Sequence, residues 1–150
     1  MFEGGCECGA VRYRLTSPPM FVNCCHCRQC QKLSGSAFAL NGMIEADRVE
    51  LVDGAERSAA AGEAGGCRCH SCKTVLWATH RDFGDRILFV RLGTLDDAGR
   101  FPPDAHFFVR SKHPWIAVPD SARCFETLPG GEDPPLFGAE ATARLAAAMR

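Results

Sequence analysis

A chain of 150 residues with 46% apolar side chains can bury one core but not two, so a single domain over residues 1–150 is expected. Seventeen basic against eighteen acidic residues leave a net charge of −1, and no Lys/Arg cluster exceeds isolated pairs, which excludes the electrostatic footprint of a nucleic-acid or anionic-membrane partner. Fifteen Gly and nine Pro break nearly every stretch long enough for three helical turns, leaving a mainly β chain. No run approaches the roughly 18 apolar residues of a membrane span. The start, Met1-Phe2-Glu3-Gly4-Gly5-Cys6, lacks the basic and apolar regions of a signal peptide, so a cytoplasmic protein is expected.

In chain order, the first cysteine knot is Cys6-Glu7-Cys8-Gly9, and residues 11–15 follow it with the apolar/polar alternation of a half-buried strand, closed by Ser17-Pro18-Pro19. Residues 20–23 read as a short strand leading into Cys24-Cys25-His26-Cys27-Arg28-Gln29-Cys30, after which residues 28–33 make a helical turn or two stopped at Gly35. That places Cys25, Cys27 and Cys30 at a strand-to-helix junction. Residues 36–44 and 48–52 are strands by β-branched and aromatic content, as are 74–79, 86–92 and 106–110. The third knot, Cys67-Arg68-Cys69-His70-Ser71-Cys72, follows the turn-forming Gly62-Glu63-Ala64-Gly65-Gly66 and is expected on a loop between strands. The core should therefore span about 2–127, with a Pro/Gly-rich connector over 128–135. Residues 139–149 form the one good helix, supported by an i,i+4 pair of Glu140 and Arg144. Its alanine face with Leu145 and Met149 should pack on the sheet or on a second subunit, giving a homodimer through this helix.

Ten cysteines in a reducing compartment are poorly explained by disulfides, and nine of them fall in the three knots, leaving Cys124 alone. A C-x-x-C turn points two sulfurs at one centre, which lets thiolates reach ~2.3 Å from a tetrahedral Zn²⁺ without distorting the backbone. Zinc outranks iron because tetrahedral all-thiolate sites most often hold it. Cys25-x-Cys27-x-x-Cys30 and Cys67-x-Cys69-x-x-Cys72 share one spacing, so spacing alone lets either complete a site begun by Cys6 and Cys8. His26 and His70, lying between thiolates, read as exposed spacers, and His106 as either a core residue or an acid/base. Trp77 and Trp115 read as core anchors, and Cys124 as a small buried hydrophobe.

Four segments together resemble the glutathione-dependent formaldehyde-activating family, which includes centromere-protein-V-like proteins. They are Gly5-Cys6-Glu7-Cys8-Gly9-Ala10-Val11, then Cys25-His26-Cys27-Arg28-Gln29-Cys30 with Gly35-Ser36-Ala37-Phe38, then Cys69-His70-Ser71-Cys72 with Leu76-Trp77, and His106-Phe107-Phe108-Val109 leading to Pro114-Trp115-Ile116. The resemblance implies an Mss4-like zinc-bound β fold with short helical turns, a C-terminal helix and two zincs per chain. One zinc is structural, closed by Cys6, Cys8, Cys69 and Cys72. The other is catalytic, held by Cys25, Cys27 and Cys30 with an open fourth position. It further implies a carbon-sulfur lyase-like activity on a small thiol adduct of the S-hydroxymethyl type, glutathione among the candidate thiols. A non-catalytic, zinc-stapled protein-binding module is the alternative. Lys73 stands where the family pattern has glycine, so that turn must change its backbone or hold a left-handed lysine. Cys24 and Cys67 are extra thiols beside the two sites, expected to pack as hydrophobes.

Overall fold

The computed structural model describes residues 1–59, 65–130, 133 and 135–150. Its strands are β1 (Phe2–Gly5), β2 (Arg12–Leu15), β3 (Phe21–Cys25), β4 (Ala39–Glu45), β5 (Val49–Asp53) and β6 (Ser58–Ala59), followed by β7 (Gly66–Cys69), β8 (Val75–His80), β9 (Gly84–Arg91), β10 (Ala105–Phe107) and β11 (Cys124–Phe125). Two α-helices join them, α1 (Arg28–Ser34) and α2 (Ala139–Ala148). The chain is thus mainly β with a C-terminal helix. No helix among the described residues is long and apolar enough to cross a membrane.

Strands β1, β2 and β5 make a small antiparallel sheet, and the other eight form a larger one in the order β11-β10-β3-β4-β9-β8-β7-β6. Register assigns the two faces of the large sheet, because paired residues on neighbouring strands point the same way. One face carries Val22, Ile44, Leu88, Val90 and Trp77, and packs on Val11, Tyr13 and Leu15 of the small-sheet side. Tyr13 meets Trp77 edge-on at 5.8 Å. The opposite face carries Phe21, Met43 and Ile87, and α2 lies over it through Ala141, Leu145, Ala148 and Met149. The helix's apolar side therefore meets the sheet.

Along this second face, Asn23, Asn41 and Arg91 stand in one register row, and Cys25 lies two residues beyond Asn23. The apolar half of the face is under α2, and the polar half runs to the cysteines at the end of β3.

Several expectations change. A strand, β1, precedes the first knot and pairs with β2. Its sequence shows no alternation because Gly4 lies so close to Tyr13 and Thr94 that a Cβ would sit 2.6 Å from the Thr94 carbonyl oxygen. Cys67 and Cys69 belong to β7, so the third knot starts inside a strand and only its second half is a loop. Residues 106–110 are not one strand: β10 ends at Phe107, since Phe108 turns left-handed (φ 57°) into a 3-10 turn, Val109–Ser111. Arg144 does not rely on Glu140; it donates two hydrogen bonds to Glu45 on β4, at 2.8 and 2.6 Å, and others to Ser17 and Pro18. Trp115 is 71% exposed and stacked on His113, and Cys124 is exposed on the two-residue edge strand β11. Trp77 is buried as expected. Of the expected turn over 62–66, residues 62–64 lie outside the described residues, as do 131, 132 and 134 of the connector; residues 128–130, 133 and 135 carry no regular element.

Candidate functional site

The first cysteine cluster forms where the two sheets meet. Cys6 and Cys8 follow β1 in a tight turn, closed by the Cys6 amide donating to the Val11 carbonyl at 3.0 Å and by Gly9 in a left-handed conformation (φ 75°). The Val11 amide donates to Cys6 Sγ at 3.2 Å. Cys69 ends β7, and Cys72 lies on a second turn in which the Lys73 amide donates to the Cys69 carbonyl at 3.1 Å. Lys73 is left-handed there (φ 66°), the second of the two options open to it. Thr74 clasps the two turns together: its hydroxyl oxygen accepts from the Glu7 amide at 3.3 Å and lies 3.1 Å from Cys72 Sγ.

All four Sγ atoms lie within 4.8 Å of one another. Cys6 to Cys8 is 3.6 Å and Cys8 to Cys69 is 3.8 Å. A tetrahedron with metal–sulfur distances of ~2.3 Å has edges of about 3.8 Å, so the sulfurs are spaced for a zinc-sized ion. The Thr74 hydroxyl, with backbone amides of both turns, holds the Cys72 thiol down at about 5, and backbone amides also lower Cys69. Deprotonated sulfur is the form that a metal requires.

The second cluster is local. Cys25 ends β3, Cys27 caps α1, and Cys30 lies in its first turn, with Cys27 Sγ accepting from the Cys30 amide at 3.3 Å. Gly35 ends α1 left-handed (φ 63°) and donates its amide to the Gln31 carbonyl. The three Sγ atoms lie within 4.8 Å of one another, Cys25 buried and the other two half-buried. Among the described residues no fourth Cys, His, Asp or Glu joins them. The hydrogen bond from Cys25, aided by Cys27 and by Arg91, holds Cys30 down at about 6 against its burial, and the same bond together with burial raises Cys25. Both clusters can hold a metal, and their all-thiol composition suits zinc. Cys24 and Cys67 are buried beside them, and burial pushes both thiols up, Cys24 to about 11.

His26 is not an exposed spacer: it is fully buried. Cys25 and Cys27 face one centre, so the residue between them points away, under the covered side of the sheet. Its Nε2 is 3.0 Å from His106 Nδ1, the two rings stack at 5.3 Å, and Phe38 lies tilted beside them at 5.5 Å. Burial, with His106, Lys112 and His113 nearby, lowers His26 to about 4, which makes it a neutral imidazole. Its Nδ1 has no partner among the described residues. With the proton assigned to Nε2, His26 donates to His106, and the orphan is an acceptor, the less costly kind. The backbone around it is pinned: the His26 amide donates to the Phe107 carbonyl at 2.9 Å, and Gln31 Nε2 donates to the carbonyls of His26 (2.7 Å) and Ser111 (2.9 Å).

Sequence reasoning missed Arg91 entirely. Its guanidinium charge helps to lower the Cys30 thiol, and it donates to Asn41 Oδ1, while Asn41 Nδ2 donates to Asn23 Oδ1 at 3.2 Å. The signal that places it is strand register, which no local motif carries.

A family model described as glutathione-dependent formaldehyde-activating enzyme matches residues 1–111, a span that contains both cysteine clusters and ends before α2. A curated protein of Halomonas elongata that bears the same family's name is 30% identical over 141 residues, 86% of this chain and 89% of that protein. The crystal structure of a Rhodobacter sphaeroides protein shares the fold with a TM-score of 0.52 at 20% identity, covering 63% of this chain and 88% of that one.

Proposed function

The chain belongs to the glutathione-dependent formaldehyde-activating enzyme family, and on that footing we propose that it is a cytoplasmic, zinc-dependent carbon-sulfur lyase-like enzyme acting on the adduct of a small thiol with formaldehyde. Cys6, Cys8, Cys69 and Cys72 hold a closed structural zinc, and Cys25, Cys27 and Cys30 hold a second at the reacting centre. The observation that carries this reading is the difference between the clusters: four thiols gathered from two turns, against three at one strand-to-helix junction with two of them half-exposed and no fourth Cys, His, Asp or Glu beside them among the described residues. Zinc bound by three thiolates supplies a Lewis acid that favours sulfur and keeps one coordination position for it.

In the forward direction the thiol sulfur bonds to the formaldehyde carbon, the carbonyl π electrons move to oxygen, and the thiol's proton ends on that oxygen, giving R–S–CH2–OH; the lyase direction reverses each step. The chain's own residues set the stage for this. Gln31 and the Phe107 carbonyl fix the backbone between Cys25 and Cys27. His26, stacked on His106, fills the space behind the turn without adding charge. Arg91 offsets part of the negative charge that three thiolates would bring.

The test is NMR exchange spectroscopy of zinc-loaded protein with formaldehyde and several low-molecular-weight thiols. Exchange between free aldehyde and hemithioacetal should exceed the buffer rate for at least one thiol and return to it in Cys27→Ser. Buffer-rate exchange for every thiol tried, with no thiol bound near Cys27, would leave the zinc-stapled binding module as the better account.

A further inference from the structure

A cleft of about 610 Å³ lies beside the first cysteine cluster, which lines it through Cys72, within the size range of small-molecule sites. One wall is α1, through Leu33 and Ser34, with Ala39, whose register partner is Cys25. The other is the second knuckle, through Cys72, Lys73 and Thr74. Arg91 closes it from β9. Among the described residues the lining holds two cations and no Asp or Glu.

Arg91 is fixed and only partly used. Among the described residues it forms no ion pair with a carboxylate; it donates to the buried Asn41, and its charge helps to lower the Cys30 thiol. A guanidinium has five N–H donors in a rigid fork, so donors remain for a ligand. Asn41 is held in turn by Asn23, which orients the fork without neutralising it. Lys73, which also lines the cleft, donates to the His70 carbonyl on its own turn. An oriented guanidinium and an ammonium lining one cleft, with no Asp or Glu among its described lining residues, suit a carboxylate.

We propose that Arg91 and Lys73 form an anion subsite that holds a carboxylate of the thiol substrate while its sulfur meets Cys25, Cys27 and Cys30, so that the protein selects thiols bearing a carboxylate a few bonds from sulfur. This rests on the function proposed above and adds to it the residues that set substrate choice. The substrate is anchored at two points, sulfur at the cysteines and carboxylate at the cations.

The experiment measures dissociation constants of 3-mercaptopropionate, 2-mercaptoethanol and cysteamine for zinc-loaded full-length protein by calorimetry, with succinate as a sulfur-free probe. Wild type should bind 3-mercaptopropionate about tenfold or more tighter than 2-mercaptoethanol, the scale of a charge-assisted hydrogen bond, and cysteamine weakest of the three. Arg91→Gln should shrink that preference to within about twofold and abolish succinate binding. If loss of the contact to Asn41 unfolds Arg91→Gln, Arg91→Lys and Lys73→Ser serve instead, each lowering the preference several-fold. A wild-type preference below twofold, or one that survives both Arg91 and Lys73 substitutions, overturns the subsite. Thiols that bind without regard to charge would sink the subsite and spare the proposed function. Arg91-dependent succinate binding with no thiol engagement would do the reverse.

Discussion

At His26, a fully buried imidazole depends on one side-chain partner, and the other ring nitrogen has none. Truncating His106 leaves both nitrogens stranded, whereas replacing both rings with apolar groups removes the polar atoms altogether. His106→Ala should therefore cost about 1–3 kcal/mol, and His26→Phe combined with His106→Leu should lie closer to wild type. Thermal melts of the three proteins check this. A His106→Ala protein that melts with wild type would show that the contact contributes nothing. The burial of His26 was legible only by parity, since two thiols aimed at one centre send the intervening side chain the other way. A local reading that counts imidazole as polar puts it in water instead. Lys73 shows the opposite case: its departure from glycine already limited that turn to two backbones, and the left-handed one is found. Trp115 and Cys124 were misplaced because hydrophobic character says little about burial in irregular segments near a sheet's edge.

Among elements, the two cysteine clusters carry different mechanical loads. Cys6 and Cys8 follow a strand of the small sheet and Cys69 ends a strand of the large one, so a metal there ties the sheets together, and its binding energy is folding energy. Cys25, Cys27 and Cys30 span six neighbouring residues already held by α1 and β3. Cys69→Ser should accordingly lose cooperative unfolding or melt far below wild type, while Cys27→Ser stays within a few degrees; equal losses in melting temperature would contradict this division of roles. Helix α2 hangs on a different contact. Burial alone would raise the Glu45 carboxyl, but the hydrogen bonds and charge of Arg144, with Arg48 adding, hold it below the ordinary range. A carboxyl lowered in the folded state contributes its stability fully above the unfolded value of about 4.3 and loses it as pH falls through the lower folded value. Protection factors of the amides in Ala139–Ala148, corrected for the intrinsic exchange rate at each pH, should thus fall on acidification below about pH 4. Arg144→Ala should show the same loss of protection at neutral pH, at a cost of about 1–2 kcal/mol, since Arg48 still pairs with Glu45. Unchanged exchange in that variant would mean the apolar contacts alone hold the helix. Most strands were legible from β-branched and aromatic runs to within a few residues. Among the exceptions, β1 uses a glycine for close approach and β10 stops at a left-handed phenylalanine, while β7 and the two-residue β6 and β11 carry no β-branched or aromatic run long enough to mark a strand.

The whole molecule is a two-sheet body in which the covered face of the large sheet supplies stability and the opposite face is shared between α2 and a polar row leading to the cysteines. Cysteine clustering alone made a thiolate metal site legible. It did not divide seven cysteines between two groups, because the two C-x-C-x-x-C runs have one spacing; the family resemblance implies that division, and the two clusters in the structure have the same members. Arg91 and its asparagine support were illegible, since strand register brings together residues 23, 41 and 91, and register is a property of the assembled sheet. The central claim is two zinc sites of unequal construction in one chain. Native mass spectrometry of the zinc-loaded protein, beside the triple variant Cys25→Ser, Cys27→Ser, Cys30→Ser, tests it most directly. Two zincs on wild type and one on a still-folded triple variant are predicted; a wild-type chain with one zinc or none, or a triple variant that keeps two, would contradict it.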